Sequence, residues 1–198
     1  FSPILALIGV LLYMQKKSDR KKDIGTILLG FATLMFGMET MSQAVSPLAD
    51  NPSFTGILTM FSNPILGICA GALLTAVIQS SSASVGILQA LCTTGAIRYN
   101  VAIPIIMGQN IGTCVTALLS SVGANINARR TAMIHLFFNM IGTILFMIVF
   151  YGSNVFVHYT FLNEVTSAAS IALIHSLFNI GCVLVLLPFS NYLVKLAT

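Results

Sequence analysis

Long apolar stretches separated by short charged segments dominate the sequence. Residues 51–97, 99–128, 131–163 and 165–194 contain no Asp, Glu, Lys or Arg. A helix needs roughly 20 mostly apolar residues to cross a bilayer, so this pattern predicts membrane-spanning helices. The predicted spans are residues 1–15, 24–46, 101–122, 131–151 and 165–188.

Residues 63–95 are too long for one simple span and carry a polar interruption. Asn63 followed by Pro64 predicts a helix start, because Asn caps free N–H groups and Pro lacks only a dispensable one. The polar run Gln-Ser-Ser-Ser-Ala-Ser then occupies residues 79–84, and serines favour caps and turns over helix interiors. The apolar pattern resumes up to Cys92. We therefore predict two half-length helices that form a re-entrant hairpin with its tip at residues 79–84.

The distribution of basic residues favours this hairpin. With the cluster at residues 16–22 in the cytoplasm, a hairpin at 63–95 leaves eight of the nine basic residues inside and only Arg98 outside. A single crossing at 63–95 would leave six inside and three outside. Basic residues accumulate on the cytoplasmic side of membrane proteins, so the hairpin is the better topology.

A second interruption is predicted at residues 108–113, in the middle of the span 101–122. Two glycines and the amides Gln109 and Asn110 lie here, and Pro104 precedes them. Irregular backbone at membrane depth persists only where protein or water satisfies it. We predict a broken helix that restarts at Thr113, and close helix packing through the glycines is the alternative.

Composition places the chain among integral membrane proteins. Charged residues make up 7% of the 198 residues, against about 25% in soluble domains. The hydrophobic share is 57% and the mean hydropathy is +0.95, which excludes disorder. The net charge of +4 is too small to indicate nucleic-acid binding. The fold class is all-α integral membrane, a helical bundle with a re-entrant hairpin and a broken helix.

The four cysteines lie inside apolar runs without metal-ligand spacing, so we expect neither a transition metal nor another cofactor. The interruptions offer different chemistry. A half-helix N-terminus presents free N–H groups and the positive end of a dipole to an anion. Hydroxyl and amide oxygens suit a small cation. Because neither interruption contains Lys or Arg, these features predict cation-coupled transport of a small anion.

Three blocks of sequence resemble the type II sodium/phosphate cotransporter family and its bacterial relatives. They are TAVIQSSSASVGI at 75–87, GQNIGTCVTALLSS at 108–121 and ARRTAMIHLFFNMIG at 128–142. The order and spacing match, and the resemblance covers roughly residues 24–188. The family has two inverted repeats, each with a Gln-Ser-Ser-Ser re-entrant hairpin. This chain carries one such motif and resembles the second repeat.

The resemblance implies contacts to phosphate or sodium from polar residues of the two interruptions, which the chemistry described above also favours. Phosphate is assigned to Ser80, Ser81, Ser82 and Thr113, and sodium to Gln79, Asn110, Gln109 and Thr116. Further candidates are Ser84, Asn139 and Glu39. Gln109 and Cys114 depart from the family, which usually has a smaller residue and a hydroxyl residue at these positions. The alternative for the serines is a hairpin tip that only caps itself.

Residues 1–23 then form the end of a linking transmembrane helix with a basic cytoplasmic loop, and residues 24–198 form the transport repeat. The implied function is sodium-coupled phosphate symport across the plasma (inner) membrane, and the protein is not an enzyme. The expected partners are inorganic phosphate, sodium, membrane lipid, and the first repeat of the same protein or a second copy. No nucleic acid is expected.

Three other functions stay open at this point. One is cation-coupled transport of another small anion, and another is a channel or a structural assembly domain. The third is an intramembrane serine hydrolase, which requires His135 within hydrogen-bond reach of one of Ser80–Ser82. His135 and Asn139 recur 40 residues later as His175 and Asn179, and we expect both pairs to make interhelical hydrogen bonds.

Overall fold

The computed structural model describes residues 1–15, 19–45, 47, 51, 53, 56–57 and 60–197. These residues form helices, with one isolated bridge between Arg98 and Val165. The helices are α1 (Ser2–Tyr13), α2 (Asp19–Val45), α3 (Pro64–Ile78), α4 (Ser81–Cys92), α5 (Tyr99–Ser121), α6 (Ile126–Val157), α7 (Ala168–Leu186) and α8 (Ser190–Leu196), with short 3₁₀ helices at Thr160–Asn163 and Leu187–Phe189. Lys16 and Lys17 of the predicted basic loop lie outside the described residues.

Four helical segments of the described chain are long and apolar enough to cross a membrane. They are Asp19–Ala44, Tyr99–Ser121, Ile126–Val157 and Ala168–Leu196. They confirm the helices predicted at 24–46, 101–122, 131–151 and 165–188. Residues 1–15, the first and shortest predicted span, contain the 12-residue apolar helix α1. At 1.5 Å per residue this helix is about 18 Å long.

The helical segment predicted as a hairpin at residues 63–95 is interrupted at Gln79 and Ser80, within the predicted tip at residues 79–84. The side chain of Asn63 caps α3 by accepting hydrogen bonds from the backbone N–H of Ile65 at 3.0 Å and of Leu66 at 3.4 Å. Gln79 ends α3 in the left-handed conformation with φ of 59°. Ser80 is extended and caps α4. The interruption is narrower than residues 79–84, because residues 81–84 already form the first turn of α4.

The predicted break at residues 108–113 is wrong, since α5 is one continuous helix. The two glycines there serve close packing instead. A Cβ atom on Gly108 would collide with the backbone carbonyl oxygen of Ile68, and one on Gly112 would lie 2.7 Å from the Cβ of Thr75. The backbone of α5 therefore touches α3 directly, as small residues allow in membrane helices.

The directions of α3, α4 and α5 follow from their contacts. Gly67, early in α3, lies against Pro104, and Thr75, two turns later, lies against Gly112. These contacts advance together along both helices, so α3 and α5 are parallel. Ser84 in the first turn of α4 contacts Gln109 in the middle of α5, whereas α4 ends just before α5 begins. Helix α4 therefore runs antiparallel to both neighbours.

Helix α5 is the centre of the bundle, and every residue from 101 to 110 is buried. Leu88 of α4 and Ile171 of α7 pack with it in one apolar cluster. Phe178 and Cys182 of α7 join it in a second cluster. The interrupted pair α3–α4 is thus held by the most buried helix of the described chain.

We expect Gly108→Ala to destabilise the protein. The added methyl group meets the main chain of Ile68, which cannot rotate away as a side chain can. Overpacking of this kind costs about 1–3 kcal/mol, so the melting temperature in detergent should fall. Gly152→Ala is the matched control, because a Cβ atom there has no neighbour within 4 Å. Equal melting temperatures for the two variants would contradict the packing described here.

Candidate functional site

A buried hydrogen-bond network joins α3, α4 and α5 just beneath the interruption. The hydroxyl of Thr75 donates to Ser84 Oγ at 2.8 Å. The Nε2 amide of Gln109 donates to the same Ser84 Oγ at 2.9 Å and to the Ser84 carbonyl oxygen at 3.0 Å. Thr75 and Ser84 are fully buried and Gln109 is 1% exposed. One serine therefore connects three helices, and the position of the tip depends on it.

The same bonds fix the orientation of the Gln109 amide. Its Nε2 faces the Ser84 carbonyl, so the opposite rotamer would set two oxygens against each other. The Oε1 atom is consequently directed away from Ser84, where it is buried and has no hydrogen-bond partner among the described residues. A buried acceptor without a partner costs about 1–3 kcal/mol. The Gln109 Oε1 atom is therefore available as a ligand for a cation or as an acceptor for a hydrogen-bond donor.

The tip itself presents serine side chains and free N–H groups. Ser80 Oγ accepts a hydrogen bond from the Ala83 N–H at 3.3 Å and lies 3.3 Å from Ser82 Oγ. The backbone N–H groups of Ser81 and Ser82 have no acceptor in the described part of the chain, as is usual in a first helical turn. Gln79 is exposed at the tip. This end of α4 can therefore receive an anion.

Ser81 and Ser82 open into a cavity of about 660 Å³ between α2, α4 and α7. Met38 and Met41 of α2 line one side, and His175 of α7 lines another. The remaining lining residues are Leu34, Gly37, Ala83, Val85, Gly86 and Gln89. A volume of about 660 Å³ is large enough for a small tetrahedral ion and some of its water.

Thr113 and Thr116 lie on α5 beyond Gln109. The Thr113 hydroxyl donates to the Gln109 carbonyl and that of Thr116 to the Thr113 carbonyl, both at 2.9 Å. Thr113 is one turn after Gln109, and Ser80 is one turn before Ser84. In an antiparallel pair with Ser84 opposite Gln109, Thr113 is therefore at the level of Ser80. We call this level the layer of the tip, and neither Thr113 nor Thr116 lines the serine cavity.

Asn110 and Asn139 lie on the other side of α5. Asn110 donates to the Ile106 carbonyl at 3.0 Å. Asn139 donates to the Cys114 sulfur at 3.4 Å and to the His135 carbonyl at 3.0 Å. Of these three bonds, the one from Asn139 to Cys114 joins α5 to α6, and the other two stay within their own helices. In the second His/Asn pair, Asn179 donates to the His175 carbonyl within α7, so the expected interhelical bond is found for the first pair and, among the described residues, not for the second. Neither Asn110 nor Asn139 lines the serine cavity.

Two further predicted residues also lie outside this cavity. Glu39 is exposed on α2 between Met38 and Met41 and does not line it. His135 lines a separate cavity of about 370 Å³ beside Ser120 and Ser121. The structure therefore does not bring His135 to residues 80–82, as a hydrolase would require.

His175 is the histidine that shares the cavity with Ser81 and Ser82, and the sequence alone did not place it in the site. The repeated His-x-x-x-Asn pattern singles it out but does not indicate which cavity it faces. Among the described residues, no group of three His, Cys, Asp or Glu side chains is arranged to hold a metal ion.

Four long apolar helices make this a multi-pass membrane protein. The chain belongs to the Na+/Pi-cotransporter family, whose sequence profile matches residues 34–181. This is a family of transporters and not of enzymes. The resemblance noted from the three sequence blocks is therefore confirmed.

The relatives of the chain are longer than the chain itself. It is 30% identical to "Uncharacterized protein YqeW" of Bacillus subtilis over 191 residues, which cover 96% of this chain and 61% of the relative. It is 29% identical to the Escherichia coli "Putative inorganic phosphate export protein YjbB" over 195 residues, 95% of this chain and 34% of the relative. The identity is 37% with human "Sodium-dependent phosphate transport protein 2B" over 137 residues, 64% of this chain and 20% of the relative. No solved structure matches the chain.

We expect Ser84→Ala to lower the free energy of unfolding. The variant removes the oxygen that accepts hydrogen bonds from the Thr75 hydroxyl and from one N–H of the Gln109 amide. Each buried donor left without an acceptor costs about 1–3 kcal/mol. Ser82→Ala is the control, since Ser82 is exposed. Thermal unfolding in detergent checks this. The network has no structural role if both variants melt like the wild type.

Proposed function

We propose that the complete protein carries inorganic phosphate across the plasma membrane together with sodium, and that this chain supplies one half of the transport unit. Family membership supports the substrate class, and the names of two relatives include phosphate. The observation that carries the proposal is the interruption at Gln79–Ser80, directly after which Ser81 and Ser82 open into the cavity of about 660 Å³. The second half of the transport unit is either an inverted repeat elsewhere in the same protein or a second copy of this chain.

The interrupted pair is a re-entrant hairpin in this proposal. Helix α3 has 15 residues and α4 has 12, which correspond to about 22 and 18 Å. Each is too short for the roughly 30 Å apolar core of a bilayer. Because they are antiparallel, the chain enters and leaves on one side of the membrane. The distribution of basic residues favours the same path.

Phosphate binds in the layer of the tip. The proposed donors are the free N–H groups of the first turn of α4 and the hydroxyls of Ser80, Ser81 and Ser82. The Thr113 hydroxyl of α5, which donates to the Gln109 carbonyl, would turn to the anion when it binds. Charge-assisted hydrogen bonds of this kind are the strong ones. The dipole of α4 contributes a partial positive charge at its N-terminus.

Sodium offsets the charge of the anion. No Lys or Arg lines the cavity, so an anion that loses water there needs a mobile cation beside it. Gln109 supplies the unpartnered buried Oε1, and Gln79 supplies an exposed amide at the tip. The remaining proposed ligands are Asn110 and Thr116, with Ser84, Asn139 and Glu39 as further candidates. Apart from the carboxyl group of Glu39, these side chains offer neutral oxygens, which suit sodium.

A second candidate is phosphate export without sodium. The name of the E. coli relative specifies export, and the donors of the tip would bind phosphate in either direction. Dependence on sodium distinguishes the two candidates, since only the symport couples phosphate to a sodium gradient.

We expect Ser81→Ala and Thr113→Val in the complete protein to abolish most phosphate uptake. Each variant deletes one hydroxyl with little change in volume. A hydrogen bond to a charged group is worth about 1.5–3 kcal/mol, or roughly 10- to 150-fold in affinity. Radiolabelled phosphate uptake into proteoliposomes measures this. Ser176→Ala is the control, because that exposed hydroxyl donates only to its own helix. Wild-type phosphate affinity in both site variants would reject the assignment.

Sodium and phosphate should strengthen each other's binding, because a sodium ion offsets the charge of the anion. Coupling between two sites is reciprocal, so each ion has the same effect on the affinity of the other. We expect Gln79→Leu to lose the sodium dependence more than the residual phosphate binding, and Gln79→Asn to keep it. Asn retains an amide oxygen and tolerates the left-handed backbone at this position. The measurement is the phosphate affinity of each variant in buffers from zero to about 100 mM sodium. An affinity that does not change over this range would end the sodium-coupled proposal.

A further inference from the structure

His175 faces the serine cavity from α7, across from the first turn of α4. It is partly buried and lines the cavity together with Ser81 and Ser82. Its backbone carbonyl accepts a hydrogen bond from Asn179 at 2.8 Å. Its imidazole has no hydrogen-bond partner within the described ranges. The two ring nitrogens are therefore available to whatever occupies the cavity.

The other polar groups of the cavity are mostly donors to an anion. Serine hydroxyls and free N–H groups can all donate at the tip. Gln89 directs its Nε2 to the carbonyl of Ala168 at 2.9 Å. A neutral imidazole offers one N–H and one lone-pair nitrogen. No carboxylate lines the cavity. The serine hydroxyls and the Gln89 amide oxygen can also accept, but the imidazole nitrogen is more basic than either and is therefore the stronger acceptor.

An acceptor distinguishes two ions that donors alone cannot separate. In mildly alkaline solution, hydrogen phosphate and sulfate are tetrahedral dianions of similar size. Hydrogen phosphate carries one O–H group and sulfate carries none. A lone pair directed into the site gains a hydrogen bond from phosphate, but it faces a charged oxygen of sulfate. Selectivity of this kind combines attraction to one ligand with repulsion of the other.

We propose that His175 is a specificity-determining residue of this site, whose imidazole accepts the hydrogen bond of the phosphate O–H and thereby excludes sulfate. This inference rests on the proposed function, because it assigns a role within the phosphate site. It adds a contact from α7 to a site otherwise built by α4 and α5.

The test measures the affinities of phosphate and sulfate for the complete protein by calorimetry with sodium present. The buffer is at about pH 8, above the ordinary imidazole pKa of about 6.5. The wild type should prefer phosphate strongly. His175→Phe removes the acceptor and should lower this preference about 10- to 150-fold, the value of one hydrogen bond to a charged group. His175→Gln keeps an acceptor oxygen and should retain most of the preference.

Two controls separate this role from a structural one. His135→Phe changes the equivalent histidine of the sequence repeat, which lines the other cavity, and should leave the preference unchanged. Arsenate also carries an O–H group and should follow phosphate in every variant. Melting temperatures show which variants are folded, and His175→Ala replaces the Phe variant if that one is not.

The inference is overturned if the folded His175 variant binds phosphate and sulfate with an unchanged ratio. It is also overturned if His175→Gln loses as much preference as the variant without an acceptor. A wild type that binds no phosphate at any sodium concentration overturns the proposed function itself, and this inference with it. A wild type that binds phosphate and sulfate equally overturns the inference alone.

Discussion

A polypeptide that leaves its helix inside a bilayer has to satisfy every backbone group that it frees, because lipid offers neither donors nor acceptors. At the interruption of this chain the Gln79 N–H donates to the Thr75 carbonyl at 2.7 Å, and the Ser84 N–H to the Ser80 carbonyl at 3.0 Å. Ser80 caps the Ala83 N–H. The first N–H groups of α4 have no acceptor among the described residues. In the proposed re-entrant path, an anion satisfies these donors.

The interruption is held in place by the most buried part of the described chain. Gly108 and Gly112 let α5 approach α3 closely, and Gln109 between them reaches Ser84 on α4. The glycines determine how close the helices come, and the glutamine determines where the tip lies. In the proposed mechanism, these residues connect the tight packing of the bundle to the layer where phosphate and sodium meet.

The interruption at Gln79–Ser80 could be predicted from sequence because its signals are local. An Asn-Pro start and a run of serines act within a few residues of the backbone they affect. The helix break at residues 108–113 was a wrong prediction because glycines and amides have two uses. They break a helix or let another helix approach, and the choice depends on α3, some 40 residues away. His175 was missed for the same reason, since its cavity forms only when α2, α4 and α7 come together.

The central claim is that the serine cavity is where phosphate binds together with sodium. Met41 lines this cavity from α2 without belonging to the proposed ligands, so Met41→Cys places a thiol beside the site. Of the four natural cysteines only Cys69 is exposed, and Cys69→Ala removes that background. The account predicts that phosphate with sodium slows the reaction of this thiol with a hydrophilic reagent, and that either ion alone slows it far less. A reaction rate that is the same with and without both ions would contradict the account.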